Sequence, residues 1–273
     1  MNKSKQFTFL FLFVILGIRV FPQGDCLFEI LDEAKLRVNY TLTYRYDSTT
    51  PKIGKQEDMI LLIGSEISCF QSRLYYSEME FKCNNPQLPI DNWLEQGNVP
   101  TDIRYRIYKN YPIGKTTVME RVIFTDSFEY VEDIPEFGWE IQEDTMRIEG
   151  YLAQKAVCQY GGRTWEAWFT EELPFNDGPY KFCGLPGLIL NMIDARRDYR
   201  FYFQSIEVPE KGTTIKWENT ETVKTTKKGL FKVIDQNAES VMRNFDDRTS
   251  TGAQKAIYKA MKSRNNPIEL DRK

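Results

Sequence analysis

The sequence predicts an α+β fold: a predominantly antiparallel, curved β-sheet with amphipathic helices toward the C-terminus. Three observations carry this. Residues 36–46 alternate strictly, with Leu36, Val38, Tyr40, Leu42, Tyr44 and Tyr46 on one face and Arg37, Asn39, Thr41, Thr43 and Arg45 on the other. Such a period of two marks a strand with one wet face. Two further runs, 153–160 and 163–169, meet at Gly161-Gly162, a turn signal for paired strands. After Gly229 the spacing changes to fours and threes, with Leu230, Ile234, Ala238, Val241 and Phe245 along one helical face.

Taken in order, residues 1–24 are expected to be a signal peptide. Lys3 and Lys5 form a basic start, Phe7 to Ile18 an apolar core, and Phe21-Pro-Gln-Gly24 a cleavage zone. That apolar run is too short for a bilayer span, and Arg19 follows it directly. Residues 25–273 then form a single β-rich envelope domain. After the alternating strand, Met59–Ile63 reads as a buried strand, while 66–83 is ambiguous between helix and strand. Pro86, Pro89 and Pro100 mark a loop-rich stretch around Trp93. Further strands are expected at 103–108, 117–124, 128–132 and 146–151, then the Gly-Gly hairpin, then 188–193 and 199–206. Ala253, Ile257 and Met261 suggest a second short helix.

The stretch Gly178-Pro-Tyr-Lys-Phe-Cys-Gly-Leu-Pro-Gly-Leu-Ile-Leu190 is the most distinctive in the chain. Leu185-Pro186-Gly187-Leu188 reads as a type II turn, since proline pre-sets the second position and glycine takes the positive dihedral at the third. Gly184 allows a further unusual dihedral. With Met146-Arg-Ile-Glu-Gly-Tyr151, Gly161-Gly-Arg-Thr-Trp-Glu-Ala-Trp-Phe169 and Asn266-Pro-Ile-Glu-Leu270, this segment resembles the GLPGLI family of secreted proteins from Gram-negative bacteria. The resemblance implies export and a rough fold; it implies no established activity.

Composition narrows the chemistry. The chain has no histidine, which excludes Ser-His-Asp and Cys-His catalysis and imidazole metal sites. No Gly-x-Ser-x-Gly elbow is present, and no mature serine has a lysine three residues on. Pro112-Ile-Gly-Lys-Thr-Thr117 imitates a phosphate loop, but Lys109 stands where its first glycine belongs, so a turn is expected there. Loss of residues 1–24 moves the formal charge from −3 to −6. An acidic chain without a basic patch is no candidate for nucleic acid. No cofactor, metal or catalytic residue is indicated, and no transmembrane span remains in the mature chain.

Five cysteines, at 26, 69, 83, 158 and 183, survive cleavage, and an odd count leaves one over. The pairs Cys69–Cys83 and Cys158–Cys183 are expected because each closes a modest local loop, although connectivity itself is not readable from sequence. Gln23-Gly24-Asp25 before Cys26 is a poor lipidation signal, so a soluble mature form is preferred. Trp165, Trp168 and Phe169 are the weak binding candidates, with Trp165 and Phe169 on one strand face and Trp168 on the other. Glu166, Glu171, Glu172, Asp177 and Asp194 are the acids nearest the motif.

The expected role is therefore a non-enzymatic exported protein of the periplasm, the outer-membrane periphery or the extracellular space. It would bind a peptide, a hydrophobic ligand or an outer-membrane protein partner. The alternative is a carboxylate-dependent, glycosidase-like hydrolase in the same compartment. Export has a direct check: N-terminal sequencing of envelope fractions should start within a few residues of Gln23 or Gly24. An intact Met1 there would refute it.

Overall fold

Strand follows strand for most of the chain. The computed structural model describes residues 28–49, 54–123, 125–219, 221–243 and 252–271. The expected signal peptide, Cys26 and Phe245 lie outside the described residues. In chain order come β1 (Phe28–Glu33), β2 (Leu36–Tyr44), β3 (Lys55–Ile63), β4 (Ser68–Ser72), α1 (Arg73–Asn84) and α2 (Asp91–Glu95). Then come β5 (Tyr105–Lys109), β6 (Lys115–Arg121), β7 (Ser127–Asp133), β8 (Glu140–Ile148), β9 (Tyr151–Tyr160) and β10 (Arg163–Thr170). The chain continues through β11 (Leu188–Asp194), β12 (Tyr199–Glu207), β13 (Thr214–Glu218), β14 (Thr222–Lys224), α3 (Lys227–Arg243) and α4 (Gly252–Lys262).

Twelve strands form one open sheet in the order β14-β7-β6-β5-β4-β3-β2-β12-β11-β10-β9-β8. Every pairing in it is antiparallel except β14 with β7. The protein is thus mainly β, with few helices. β1 and β13 make a separate two-stranded antiparallel sheet. No helix among the described residues is long and apolar enough to cross a membrane.

The alternation of β2 sorts its side chains into the core: Val38, Tyr40, Leu42 and Tyr44 are all buried. They join Met59, Leu61, Phe70, Trp165, Phe169, Phe182 and Phe201 in one large cluster. Ile60, Leu62, Cys69 and Tyr108, which alternate with those residues along β3, β4 and β5, form a smaller cluster with Ile215 of β13. Both sheet faces therefore carry apolar cover, which is why β3 and β4 read as continuous apolar runs. Phe182, from the motif, is a hub. Its ring lies 4.9 Å from Trp165, 5.1 Å from Phe137 and 5.6 Å from Tyr160, within the range where aromatic pairs add to simple burial.

The ambiguous stretch 66–83 resolves at Ser72. It closes β4, and its hydroxyl accepts from the Leu74 and Tyr75 amides at 3.1 and 3.3 Å. That is a helix N-cap, so strand passes to helix with no loop between. The phosphate-loop imitation is a turn joining β5 to β6, in which Asn110 Oδ1 accepts from Gly114 N at 2.7 Å.

Two expectations are corrected. Cys69, Cys158 and Cys183 are free thiols, so neither Cys69–Cys83 nor Cys158–Cys183 forms. Cys83 is disulfide-bonded elsewhere. Proximity in sequence misled here: Cys69 is buried in the smaller core, and Cys158 and Cys183 share the larger one without bonding. The Leu185–Leu188 segment is also not a type II turn. Gly187 N, rather than Leu188 N, bonds the Leu185 carbonyl, at 2.8 Å, and Leu188 N instead bonds Leu173 O at 2.9 Å. The tighter three-residue turn centres on Pro186, whose fixed φ suits it.

Gly187 is required for a different reason from the one the turn suggested. A Cβ there would lie 2.0 Å from Thr170 O and 3.0 Å from Glu171 Cα. Both are backbone atoms that cannot swing aside. Gly187→Ala is expected to destabilise by about 3 kcal/mol, at the upper end of ordinary overpacking. Pro186→Ala, which mainly loosens the unfolded chain, should cost under about 1 kcal/mol. Urea melts of the two variants check the order, and equal midpoints would contradict the close approach.

Candidate binding groove

The groove is built on the C-terminal segment that follows α4. Asn266 is nearly fully buried and ties this segment to three places at once. Its Nδ2 donates to Arg45 O at 2.6 Å, its N to Tyr46 O at 2.9 Å, and its Oδ1 accepts from Arg163 Nη2 at 2.7 Å. Arg163 opens β10 and donates further to Pro267 O at 2.7 Å, Ile268 O at 2.9 Å and Asp194 Oδ2 at 2.9 Å. Leu270 N then bonds Gly161 O at 2.6 Å. The hairpin turn leaves room for this, since a Cβ on Gly161 or Gly162 would come within 3.0 or 3.1 Å of Glu269 or Leu270.

Glu269 is 1% exposed. It receives Tyr180 OH at 2.6 Å, Lys181 Nζ at 2.8 Å and Lys227 Nζ at 2.5 Å. Lys181 is itself wholly buried and also donates to Tyr130 OH at 2.8 Å. Burial alone would push the Glu269 carboxyl up, but the Lys181 and Lys227 ammoniums outweigh it and bring it down to about 2. The motif's Tyr180 and Lys181 thus face the terminal Glu269 across the fold.

Beside this cluster, the C-terminal segment, α3 and the sheet enclose two adjoining recesses. The first, of about 160 Å³, is lined chiefly by Tyr44, Tyr105, Tyr180, Tyr199, Phe231 and Ile268. The second, of about 190 Å³, is lined by charged side chains, Arg121, Asp235 and Lys262 among them, and by Asn237. Asp102, Arg104, Glu120, Ile234 and Arg264 belong to both, so the two form one groove. Its aromatic end is the size of a cavity that holds a benzene, roughly 150 Å³.

Two acids of this groove, Asp102 and Glu269, carry cations. Asp102 bonds Lys55 and accepts from Arg264 Nη2 at 2.6 Å. Burial raises its carboxyl, but these two partners override that and leave it below the ordinary range. With Glu269 also held low, neither group is poised as the protonated acid that glycoside cleavage needs. No group of three or more acids or cysteines among the described residues is placed to hold a metal ion.

The candidates read from the sequence lie elsewhere. Trp165 is in the core, donating to Tyr160 O at 3.0 Å, and Phe169 is buried beside it. Trp168, on the opposite face, is half-buried, donates to Glu166 Oε1 at 2.8 Å and sits 5.9 Å from Lys155 Nζ. The five acids near the motif are dispersed. Asp194 pairs with Arg163, Asp177 with Lys109, Glu166 with Lys155, Glu172 accepts the Leu152 amide, and Glu171 is exposed. Sequence reading missed Arg104, Asn237 and Tyr105. The signals that pointed toward the groove were Tyr44 and Tyr46 in the alternating run, Ile234 on the helical face, Tyr180 in the motif and the 266–270 stretch.

Residues 160–191, from the end of β9 into β11, match the family described as "Protein of unknown function (Porph_ging)". This is consistent with a GLPGLI-type family. No curated protein matches the chain. Two solved structures, both of PNGF-II, in C2 and P21 space groups, align with TM-scores of 0.45 and 0.46 at 13% identity. The alignments cover 70% and 71% of this chain but only 31% and 32% of those chains, so this chain spans about a third of their length.

Glu269 links stability to pH. Its folded carboxyl lies below the unfolded value of 4.5, so its contribution is complete above about pH 5.5 and is lost as pH falls toward 2. At neutral pH Glu269→Gln should cost about 2 kcal/mol, since it removes the charged acceptor shared by Tyr180, Lys181 and Lys227, while Lys181 keeps Glu132. Urea melts from pH 7 to pH 3 should show the gap between variant and wild type narrowing. A gap that stays constant would rule out the ion cluster as its source.

Proposed function

We propose that this chain is a non-enzymatic envelope protein that binds peptide, seating one apolar side chain in the aromatic recess. The observation that carries this reading is the recess itself, walled by five tyrosines and Phe231 and too small for more than one such group. Tyrosines at a wet pocket offer apolar area and a hydroxyl edge together, which suits peptide contacts better than a purely greasy ligand. The ion pairing of Asp102 and Glu269 supports binding over hydrolysis. A signal-peptide pattern and the disulfide at Cys83 support the exported location.

One observation favours a second reading. Glu57, on β3, is buried and its carboxyl is raised by that burial, even though the Ser72 and Thr101 hydroxyls donate to it. Asp102 follows Thr101 directly and is lowered. Acids split in this way are the usual pattern of an acid–base pair, which keeps a carboxylate hydrolase as the alternative.

Pooled unlabelled tetrapeptides rich in apolar residues, followed by saturation-transfer NMR on the mature protein, test the first reading. Binding is expected, and Ile234→Trp, which fills the groove, should lower it at least tenfold. No transfer from any pool would end the proposal. Chromogenic glycosides test the second, with no turnover expected. Turnover abolished by Glu57→Gln would reverse the choice.

A further inference from the structure

We infer that the groove recognises the free C-terminus of a peptide, with Arg104 as the carboxylate anchor. The inference rests on the binding role proposed above and says which part of the peptide is held.

The first support is charge. Most cations of the groove already have an acid. Arg121 pairs with Glu78 at 3.2 Å, Arg264 with Asp102 at 2.6 Å and Lys262 with Glu239 at 2.6 Å. Arg104 has no carboxylate partner among the described residues. Its Nε donates to Thr101 O at 3.2 Å, which fixes the base of the guanidinium and leaves the two terminal nitrogens open. Arg104 is half-buried and stands where the aromatic and charged recesses meet. A guanidinium in that position matches a carboxylate through two parallel hydrogen bonds. The acids Asp102, Glu120 and Asp235 around it favour a single negative charge over a phosphate or a polyanion.

The second support is an orphaned acceptor. Asn237, on α3, is 6% exposed and lines the same charged recess. Its Nδ2 donates to Ile123 O at 2.8 Å, which assigns the other atom as oxygen. That Oδ1 is buried and has no donor among the described residues. Buried acceptors are seldom left so; closed off from solvent here, it would meet a ligand N–H as the groove opens to admit one. A carboxylate, an amide N–H and an apolar side chain are the three parts of a peptide's last residue. A fatty acid has no N–H, and its chain exceeds a recess of about 160 Å³.

The test uses fluorescein-labelled tetrapeptides, Gly-Gly-Ala followed by Phe, Tyr, Leu or Val, each made as the free acid and as the C-terminal amide. Anisotropy with the mature protein should show at least one acid binding tenfold or more tightly than its amide. Arg104→Gln should erase that preference while the protein melts as wild type does. Arg104→Lys should keep part of it. Acid and amide binding equally, with both lost in Ile234→Trp, would overturn the C-terminal inference and leave the peptide-binding role standing. Displacement of the probes by octanoate at lower concentration than by the unlabelled acids would instead identify a lipid acid and overturn it. No binding by any probe would overturn the inference, and silence in the pooled peptides as well would remove the role beneath it.

Discussion

A carboxylate that is nearly fully buried dictates much of this fold. Glu269 in isolation would be costly to remove from water, by several kcal/mol even after relaxation. It is tolerable because Lys181 comes from the motif, Lys227 from the start of α3, and Tyr180 adds a hydroxyl. Three segments distant in sequence must therefore converge on one point. The second such point is Arg163, whose guanidinium reaches Asp194 and three positions of the C-terminal segment. Together they explain why the motif couples a glycine-rich corner to a tyrosine and a lysine. The corner sets where Tyr180 and Lys181 sit, and Phe182 between them and the sheet fills the centre of the ring cluster.

The groove is a by-product of that convergence. The segment carrying Glu269 also supplies Pro267 and Ile268 as a wall, and α3, held at its first turn by Lys227, supplies Phe231, Ile234 and Asn237. Binding and stability thus share parts. A substitution that loosens the ion cluster would blur the pocket before it unfolded the protein, since side chains on an unanchored wall lose the pre-arrangement that affinity depends on.

How much of this could be read in the sequence depended on whether a residue's reason was local. β2 was plain because one face is core and the other wet, and the Gly161-Gly162 turn because both residues take positive φ, 61° and 72°, as hairpin turns demand. β8 was half seen: from Glu140 to Arg147 it is a mostly exposed edge, so no buried face imposes a period. β1, β13 and β14 went unseen because they are short and pair with distant or edge partners. The turn at Pro186 was read correctly as a corner and wrongly in type, because the deciding contact, Thr170 against Gly187, lies 17 positions away in the chain and has no signature in the motif. The groove residues failed for the same reason. Arg104 has no pattern around it, and Asn237 looks like any polar residue on an amphipathic helix. Their meaning arises only when α3 lies over the sheet.

The closing segment also bears on how the chain reaches this state. Asn266 meets Arg163 across 103 positions and Arg45 across 221, while Glu269 meets Lys181 across 88. Contacts of such separation form late, because the loop entropy is spent before they return anything. Until they form, Arg163 has only Asp194 and Asp198, and Lys181 only Glu132 and Tyr130, so each buried cation is incompletely satisfied. Two consecutive glycines and one buried acid thereby act as a latch that fastens residues 266–270 onto the sheet.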